Sequence, residues 1–223
     1  MTLSQTYTAR AGTRGLAQDL GGAGATPVTV LLCGVGGQGT ILAADLLART
    51  AQEAGYQVKL SEVHGMAQRG GAVTTVVRFG SSVASMVTDP GCADHIIAFE
   101  TTEALRNLPF LKAGGDLLVN DETIRPLTAL TGKVAMPSEA ASTLKGLGAR
   151  LVSATRVAEG LGNAKCSNIV LLGALAKDLG MDETLWERQI EKRVPARFTA
   201  MNIAAFRAGL AYDSDEGGKA TLS

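Results

Sequence analysis

The sequence predicts a single α/β domain: an open, Rossmann-like, mostly parallel sheet with helices on both faces and a helical C-terminal region. Three observations predict this fold class. Short apolar segments alternate with helical patterns along much of the chain, as in sheets covered by helices. A glycine-rich turn joins the first apolar segment to the first helical one. The length of 223 residues, 46% of them hydrophobic, is enough to form one sizeable core.

The first three elements are the most clearly patterned. Residues 28–33 form a nearly continuous apolar run, typical of a strand that is buried on both faces of a parallel sheet. Residues 41–51 carry apolar side chains along one side of a helix, and Gly55 is placed to end that helix. Residues 57–61 predict a second strand, so the chain is expected to begin with a strand–helix–strand unit.

The later elements follow from the same patterns. Further strands are predicted at residues 72–79, 95–99, 117–120 and 150–153, with a short helix at 102–108. From residue 167 onward the apolar spacing becomes helical. It predicts the C-terminal helices at residues 169–179, 182–193 and 196–211.

Composition shifts at the two ends predict the domain boundaries. Residues 1–26 contain few large apolar side chains, and their glycine-rich stretch at 21–25 predicts a flexible N-terminal extension. Residues 214–223 resemble them and predict a flexible tail. The folded domain is therefore expected to span residues 27–213.

Charge and composition exclude several classes of function. The 21 basic and 21 acidic residues balance, which argues against nucleic-acid binding by counterion release. No apolar run approaches the roughly 18 residues that cross a bilayer, and the N-terminus lacks the apolar centre of a signal peptide. The three cysteines are too few for a disulfide framework, and no His and Cys spacing predicts a metal site. We expect a cytoplasmic protein with no nucleic-acid or membrane partner.

The glycine turn is the first candidate site. Gly34, Gly36 and Gly39 fit the G-x-G-x-x-G spacing, directly between a predicted strand and a predicted helix. Backbone without Cβ atoms lets a phosphate approach the amide N–H groups at a helix N-terminus, where the helix dipole is positive. The pattern predicts a phosphate or nucleotide ligand, whereas a tight turn without a ligand is the alternative. Its candidate ligand-binding residues are Gly34, Gly36, Gly37, Gln38, Gly39 and Thr40.

A second polar loop, residues 62–71, follows the second predicted strand and is expected at the same edge of the sheet. Glu62 is placed to hold a ribose diol, or it is a solvated strand end. His64 is a candidate for ligand binding or proton transfer. Arg69, beside Gly70 and Gly71, is suited to bind a phosphate or carboxylate. The alternative, equally consistent with the spacing, is that His64 and Arg69 pair with Glu62 and only stabilise the loop.

Other polar residues favour structural roles. His95 opens an apolar strand and is predicted to be a buried, hydrogen-bonded histidine. Cys33 is expected to pack as a small hydrophobe. Cys166 precedes a helix N-terminus, which would lower its pKa, but no acid or histidine nearby supports it as a nucleophile. Asn168 is predicted to cap that helix.

The two loop motifs together are far more specific than either alone. Gly34-Val-Gly-Gly-Gln-Gly39 and Glu62-Val-His-Gly-Met-Ala-Gln-Arg-Gly-Gly71 resemble the gamma-type domain of the 2-oxoacid:ferredoxin oxidoreductases. The form of the second motif is most similar to the beta-subunit branch of the indolepyruvate ferredoxin oxidoreductases. A later stretch that begins at Asn168 is similar to that family too, so the resemblance covers about residues 28–212.

The resemblance implies a reaction and a division of labour. An arylpyruvate such as indolepyruvate would react with coenzyme A and oxidised ferredoxin to give an aryl-acetyl-CoA, carbon dioxide and reduced ferredoxin. Thiamine diphosphate with magnesium and the [4Fe–4S] clusters are expected on a larger alpha subunit, with ferredoxin reached through the complex. Coenzyme A is expected as the co-substrate, with one phosphate on the Gly34–Thr40 amides and Arg69 as a second anion contact. This chain alone should be inactive.

The residues of this chain agree with that division. Three dispersed cysteines cannot supply the four thiolates that usually hold a [4Fe–4S] cluster. The sequence also lacks a Gly-Asp-Gly…Asn segment of the kind that holds magnesium on thiamine diphosphate.

Three alternatives stay open on sequence alone. The subunit could serve another 2-oxoacid, such as pyruvate, a branched-chain 2-oxoacid or 2-oxoglutarate. The glycine spacing and Glu62 also allow a stand-alone NAD(P)-binding oxidoreductase, although few residues remain for a substrate domain. A scaffold whose glycine turn binds nothing is the third.

Overall fold

A computed structural model describes residues 26–64, 71–86, 88–124 and 139–212. The predicted tail, and all of the predicted extension except residue 26, lie outside the described residues. Six strands form one sheet in the order β2-β3-β1-β4-β5-β6. The strands are β1 (Val28–Val35), β2 (Gln57–His64), β3 (Ala72–Gly80), β4 (Ala93–Ala98), β5 (Leu111–Asn120) and β6 (Arg150–Val152).

Seven α-helices accompany the sheet in the described part of the chain. They are α1 (Thr40–Glu53), α2 (Thr101–Asn107), α3 (Ala140–Gly146), α4 (Ala154–Gly160), α5 (Ser167–Leu179), α6 (Glu183–Arg193) and α7 (Ala196–Leu210). The three C-terminal helices confirm the predicted helical region. Helices α3 and α4 were not predicted, because each buries only two of its seven residues, too few positions to reveal a helical period.

The mostly parallel sheet is confirmed, with one exception. β1, β4, β5 and β6 are neighbours in parallel, whereas β3 runs antiparallel to both β1 and β2. The expected strand–helix–strand unit therefore has a strand inserted: β2 does run parallel to β1, but β3 lies between them. A short hairpin connection after β2 makes this pairing local, and the apolar pattern of a strand does not encode its direction.

Two apolar layers cover the two faces of the sheet, as predicted. On the first face, Val30 and Leu32 of β1 pack in one buried cluster with Leu47 of α1 and with α4 to α7. On the second face, Leu31 and Cys33 pack with α2 and α3. Alternate residues of β1 thus enter opposite layers, which is why the whole strand reads as one apolar run.

The site follows from the direction in which the chain leaves β1. From β1 the chain crosses through α1 to the β2–β3 side, whereas β4 lies on the other side of β1. The carboxyl ends of β1 and β4 therefore flank a topological switch point, the usual ligand crevice of open α/β sheets. The described residues contain no helix long and apolar enough to cross a membrane.

Candidate anion-binding site at the glycine turn

The glycine turn leaves β1 at Val35 and enters α1 at Thr40. The amide of Gln38 donates to the carbonyl of Val35 at 3.3 Å, which closes a tight four-residue turn. Gly37 has a φ of 100° and Gly39 a φ of 78°, both in the left-handed region where glycine is favoured. Two positions of the motif are therefore required by backbone conformation, with or without a ligand.

The N-terminus of α1 has the properties of an anion site. Gly39 caps the helix without any side-chain hydrogen bond, and the first turn contains no acidic residue. Among the described residues, the amides of Gly37, Gly39 and Thr40 have no hydrogen-bond partner. Free amides at the positive end of a helix attract a phosphate or carboxylate group.

Other amides of the turn are already used. Gly36 donates to the carbonyl of Gly71 at 2.9 Å, which ties the turn to the start of β3. The Val35 amide donates to Oε1 of Gln38 at 2.8 Å. The set of free amides is therefore smaller than the motif suggests: it begins at Gly37 and continues into the first turn of α1.

Gln38 turns inward rather than toward a ligand. While Oε1 accepts from Val35, Nε2 donates to the carbonyl of Phe99 at 3.0 Å. One side-chain amide thus joins the end of β1 to the residue that follows β4, across the mouth of the crevice. A dinucleotide would need this crevice open, so the arrangement disfavours the NAD(P) alternative.

Gly34 is required by close packing, not by φ. A Cβ atom at this position would lie 2.6 Å from Oε1 of Gln38 and 2.9 Å from Cβ of Phe99. Any side chain here would therefore push Gln38 out of its bridge. The first glycine of the motif makes room for the glutamine.

The second loop reaches the predicted edge. The bond from Gly36 to Gly71 joins its end to the glycine turn, and the antiparallel β2–β3 pairing puts the end of β2 beside the start of β3. Arg69, Gly70 and the side chain of His64 lie outside the described part of the chain. Their proposed roles stay predictions.

Glu62 lies farther from the glycine turn than predicted. β2 continues to His64, so Glu62 is inside this strand, opposite Thr75 of β3. Because β3 separates β2 from β1, Glu62 is two strand spacings, about 9.6 Å, from β1. It is exposed at the sheet edge. In a dinucleotide fold the corresponding strand is the direct neighbour of β1.

Asn168 is a site residue that sequence reasoning missed. It does not cap α5, which begins at Ser167 with Cys166 as its cap. Instead its Nδ2 donates to the carbonyl of Gly39 at 3.3 Å, from a position 129 residues away in sequence. A Cβ atom on Gly39 would collide with this amide group. Nothing local to residue 168 signals such a contact.

The rest of the edge is polar and hydrogen-bonded. Asn120, at the end of β5, donates to the Phe99 carbonyl at 3.3 Å and accepts from the Ala154 amide at 3.1 Å. Glu100 accepts from the backbone amides of Thr102 and Glu103 and so caps α2. These bonds connect the ends of β4, β5 and β6 beside the glycine turn.

The cysteines occupy two separate layers. Cys33 is buried on the second face of the sheet and Cys166 on the first, so the two cannot ligate one cluster. Burial raises the pKa of the Cys166 thiol, contrary to the lowering expected from its place before a helix. Burial and the neighbouring Glu103 carboxylate raise the pKa of Cys33. The described residues contain no group of three or more His, Cys, Asp or Glu suited to a metal.

The chain matches a known protein family over most of its length. The model for the family described as pyruvate ferredoxin/flavodoxin oxidoreductase matches residues 29–212. Among curated proteins, "Indolepyruvate oxidoreductase subunit IorB" of Thermococcus kodakarensis is 37% identical over 190 residues. That alignment covers 81% of this chain and 93% of the archaeal protein.

Solved structures show the same fold. The gamma subunit of a keto/oxoacid ferredoxin oxidoreductase from Geobacter sulfurreducens matches with a TM-score of 0.61 and 26% identity, covering 82% of this chain and 95% of that one. A 2-oxoglutarate:ferredoxin oxidoreductase from Magnetococcus marinus, solved with 2-oxoglutarate, coenzyme A and succinyl-CoA bound, matches with a TM-score of 0.67. At 22% identity, covering 84% of this chain and 31% of that chain, it is similar in fold.

Proposed function

The chain belongs to the pyruvate ferredoxin/flavodoxin oxidoreductase family, and we propose that it is the non-thiamine subunit of an indolepyruvate ferredoxin oxidoreductase. The observation that carries the proposal is its 37% identity to an archaeal indolepyruvate oxidoreductase subunit, over 93% of the length of that subunit. The complex would convert an arylpyruvate and coenzyme A to an aryl-acetyl-CoA and carbon dioxide. Two electrons would pass to two ferredoxins, and the thiol proton of coenzyme A would be released.

The residues of this chain are better suited to bind coenzyme A than to carry out the redox chemistry of the reaction. Thiamine diphosphate supplies the decarboxylating carbon nucleophile in such a complex, and iron–sulfur clusters carry electrons. The opposite placement of Cys33 and Cys166 does not suit a cluster. The partner, a larger alpha subunit, would therefore hold the thiamine and the clusters.

In the proposed site, the free amides of Gly37, Gly39 and Thr40 hold one phosphate of coenzyme A. The dipole of α1 adds to the attraction, because no acidic side chain offsets it in the first turn. Arg69 is proposed as a second anion contact from the neighbouring loop. The site would hold coenzyme A at the subunit interface and orient its thiol toward the partner subunit.

The proposal is tested first by anaerobic reconstitution. Viologen or ferredoxin reduction is followed for the chain alone, the large subunit alone and the mixture, with indolepyruvate and coenzyme A. We expect activity only in the mixture, and faster turnover of arylpyruvates than of pyruvate or 2-oxoglutarate. A fully loaded complex that turns over pyruvate but not indolepyruvate would reject the substrate assignment.

The phosphate site is tested by Gly36→Leu in the reconstituted complex. Gly36 is exposed beside the free amides, so a leucine there should obstruct the approaching phosphate. We expect the KM for coenzyme A to rise at least about tenfold, as for the loss of about 1.4 kcal/mol of binding. The KM for indolepyruvate should stay unchanged.

Gly146→Leu is the matched control, since a Cβ atom at the end of α3 meets nothing within 4 Å. It should leave both KM values unchanged. If Gly36→Leu also leaves the coenzyme A response unchanged in an assembled complex, coenzyme A binds elsewhere and the scaffold alternative gains support.

A further inference from the structure

Two side-chain amides hold the glycine turn from opposite sides. We propose that Gln38 and Asn168 are positioning residues for the anion site: they fix the shape of the turn and the start of α1 without contacting the ligand. The inference rests on the proposed function, in which the free amides of the turn bind a phosphate of coenzyme A.

Gln38 fixes the first half of the turn. Its two hydrogen bonds, to the Val35 amide at 2.8 Å and the Phe99 carbonyl at 3.0 Å, use both polar ends of the side chain. A ligand would therefore have to break this bridge to bind Gln38. Gly34 leaves just enough space for the bridge, which shows that the strand end is built around this side chain.

The bridge is anchored on a carbonyl that is itself held. Asn120 also donates to the Phe99 carbonyl and is fixed in turn by the Ala154 amide. A row of hydrogen bonds therefore runs from the glycine turn across the ends of β4 and β5 to the start of α4. Movement of Gln38 is restricted by three neighbouring elements, not only by its own turn.

Asn168 fixes the second half. It is only 4% exposed, and both polar atoms of its side chain are hydrogen-bonded. Its Nδ2 donates to the Gly39 carbonyl, and its Oδ1 accepts from the amide of Ile169 at 2.9 Å. The Gly39 carbonyl also accepts the first helical hydrogen bond of α1, from Ala43 at 3.1 Å. The bond from Asn168 thus holds Gly39, the residue that caps α1 and whose own amide is one of the free amides.

Packing, by contrast, already holds the body of α1. Ala44 and Leu47 are fully buried against the sheet, at 0% exposure. Losing one amide bond at the N-terminus should therefore loosen the turn while the helix stays in place. Amides bind an anion well only when they are held in position before it arrives, so loosening should weaken binding of coenzyme A selectively.

The test uses Gln38→Met and Asn168→Leu in the reconstituted complex, because both replacements keep the side-chain volume and remove the hydrogen bonds. Initial rates are measured against coenzyme A and, separately, against indolepyruvate. We expect the KM for coenzyme A to rise about tenfold for each variant, equivalent to about 1.4 kcal/mol of binding. The kcat at saturating coenzyme A and the KM for indolepyruvate should stay within about twofold.

Gln189→Met is the matched control. The side chain of Gln189 is buried, at 5% exposure, and donates a hydrogen bond to Glu53 at the far end of α1. Fourteen residues of helix, about 20 Å, separate that end from the glycine turn. This variant should change neither KM, although it also removes a glutamine bond to α1.

The outcomes separate the two hypotheses. A wild-type complex that is inactive, or that works without coenzyme A, removes the proposed function and this inference with it. A coenzyme A-dependent wild type whose assembled variants keep their KM values overturns the inference alone. Should Gln38→Met and Asn168→Leu fail to assemble, Gln38→Ala and Asn168→Ala are tested in their place. If the alanine variants fail to assemble too, the two side-chain amides are needed for the fold and not for the site, and the inference is overturned.

Discussion

At the scale of single residues, the glycines of the turn are required for different physical reasons. Gly37 and Gly39 allow left-handed backbone, whereas Gly34 makes space for the bridge formed by Gln38. The sequence motif treats these positions as equivalent contributors to a phosphate cradle. Only some amides of the turn are free, because the Gly36 amide donates to Gly71 and the Val35 amide donates to Gln38. Mutational effects at the four glycines should therefore differ in kind.

A partly buried charge cluster connects β5, β6 and the C-terminal end of α5. Arg150 donates to both oxygens of Asp116, at 3.1 and 2.6 Å, and also pairs with Asp178 of α5. His95 is buried, as predicted, but its ring nitrogens have no hydrogen bond among the described residues. Its Nδ1 lies 3.7 Å from Oδ2 of Asp116, so it contacts the cluster electrostatically.

This cluster predicts a pH-dependent stability. Burial acts to raise the pKa of Asp116, but His95 and Arg150 more than offset it, and the pKa is lowered. A carboxylate with a lowered pKa stabilises the fold above its unfolded pKa of about 3.9, and that contribution is lost as the pH falls through the folded value. Asp116→Asn should lower the unfolding free energy by about 2 kcal/mol at pH 7.

The measurement is urea unfolding of wild type and Asp116→Asn between pH 7 and pH 3. The difference between them should shrink as the wild-type carboxylate becomes protonated. Asp121→Asn is the control, because Asp121 is exposed just past the same strand and bonds Val152 through its backbone. A constant difference down to pH 3 would mean that packing, not ionisation, carries the effect.

At the scale of elements, the C-terminal helices depend on two glycines. α5 and α7 cross so closely that a Cβ atom on Gly173 would collide with the Phe206 carbonyl, and one on Gly209 with the Val170 carbonyl. Backbone lies against backbone at this crossing, and backbone atoms cannot rotate away as a side chain can. The helix that carries Asn168 toward the glycine turn is therefore placed by this contact.

Gly173→Ala should accordingly destabilise the chain, even though alanine is the better helix former. We expect a loss of about 3 kcal/mol or more in unfolding free energy, because added volume at a tight crossing forces the backbone apart. Gly146→Ala, in a helix where the added Cβ is unopposed, should gain about 0.5–1 kcal/mol. Thermal and urea unfolding measure both, and a neutral Gly173→Ala would contradict the close crossing.

At the scale of the whole molecule, the sheet order separates a protected centre from an exposed edge. All of β1 except its last residue is buried, with helical layers on both faces. β2 lies at the edge and exposes Leu60 by 39% and Val63 by 65%. Local opening should therefore begin at the β2 edge and not at the glycine turn.

Hydrogen exchange of the isolated chain measures this difference. We expect amides in β1 and β4 to exchange at least about tenfold more slowly than those of β2, because the central strands open only with the whole sheet. Equal protection of β1 and β2 would mean that the edge strand is held by contacts beyond the sheet order.

Local patterns were enough to predict much of this protein. The apolar run at residues 28–33, the one-sided stripe of α1 and the three C-terminal helices all appear as expected, since each depends on periods of a few residues. The two loop motifs likewise led to the family, which the match over residues 29–212 confirms. Helices α3 and α4 bury only two residues each, which is too few for a helical period to be recognised.

The tertiary structure decided what sequence patterns cannot encode: strand direction, neighbours and long-range contacts. The antiparallel β3 separates Glu62 from β1, and Gln38 joins the ends of β1 and β4, between which a dinucleotide would lie. Asn168 meets Gly39 across 129 residues. The sequence by itself determined the fold class, the family and the glycine turn, because those depend on local spacing. Which amides are free to bind an anion depended on tertiary contacts, because Gly36 donates to Gly71 at the start of β3 and Gln38 accepts from Val35 while bridging to Phe99.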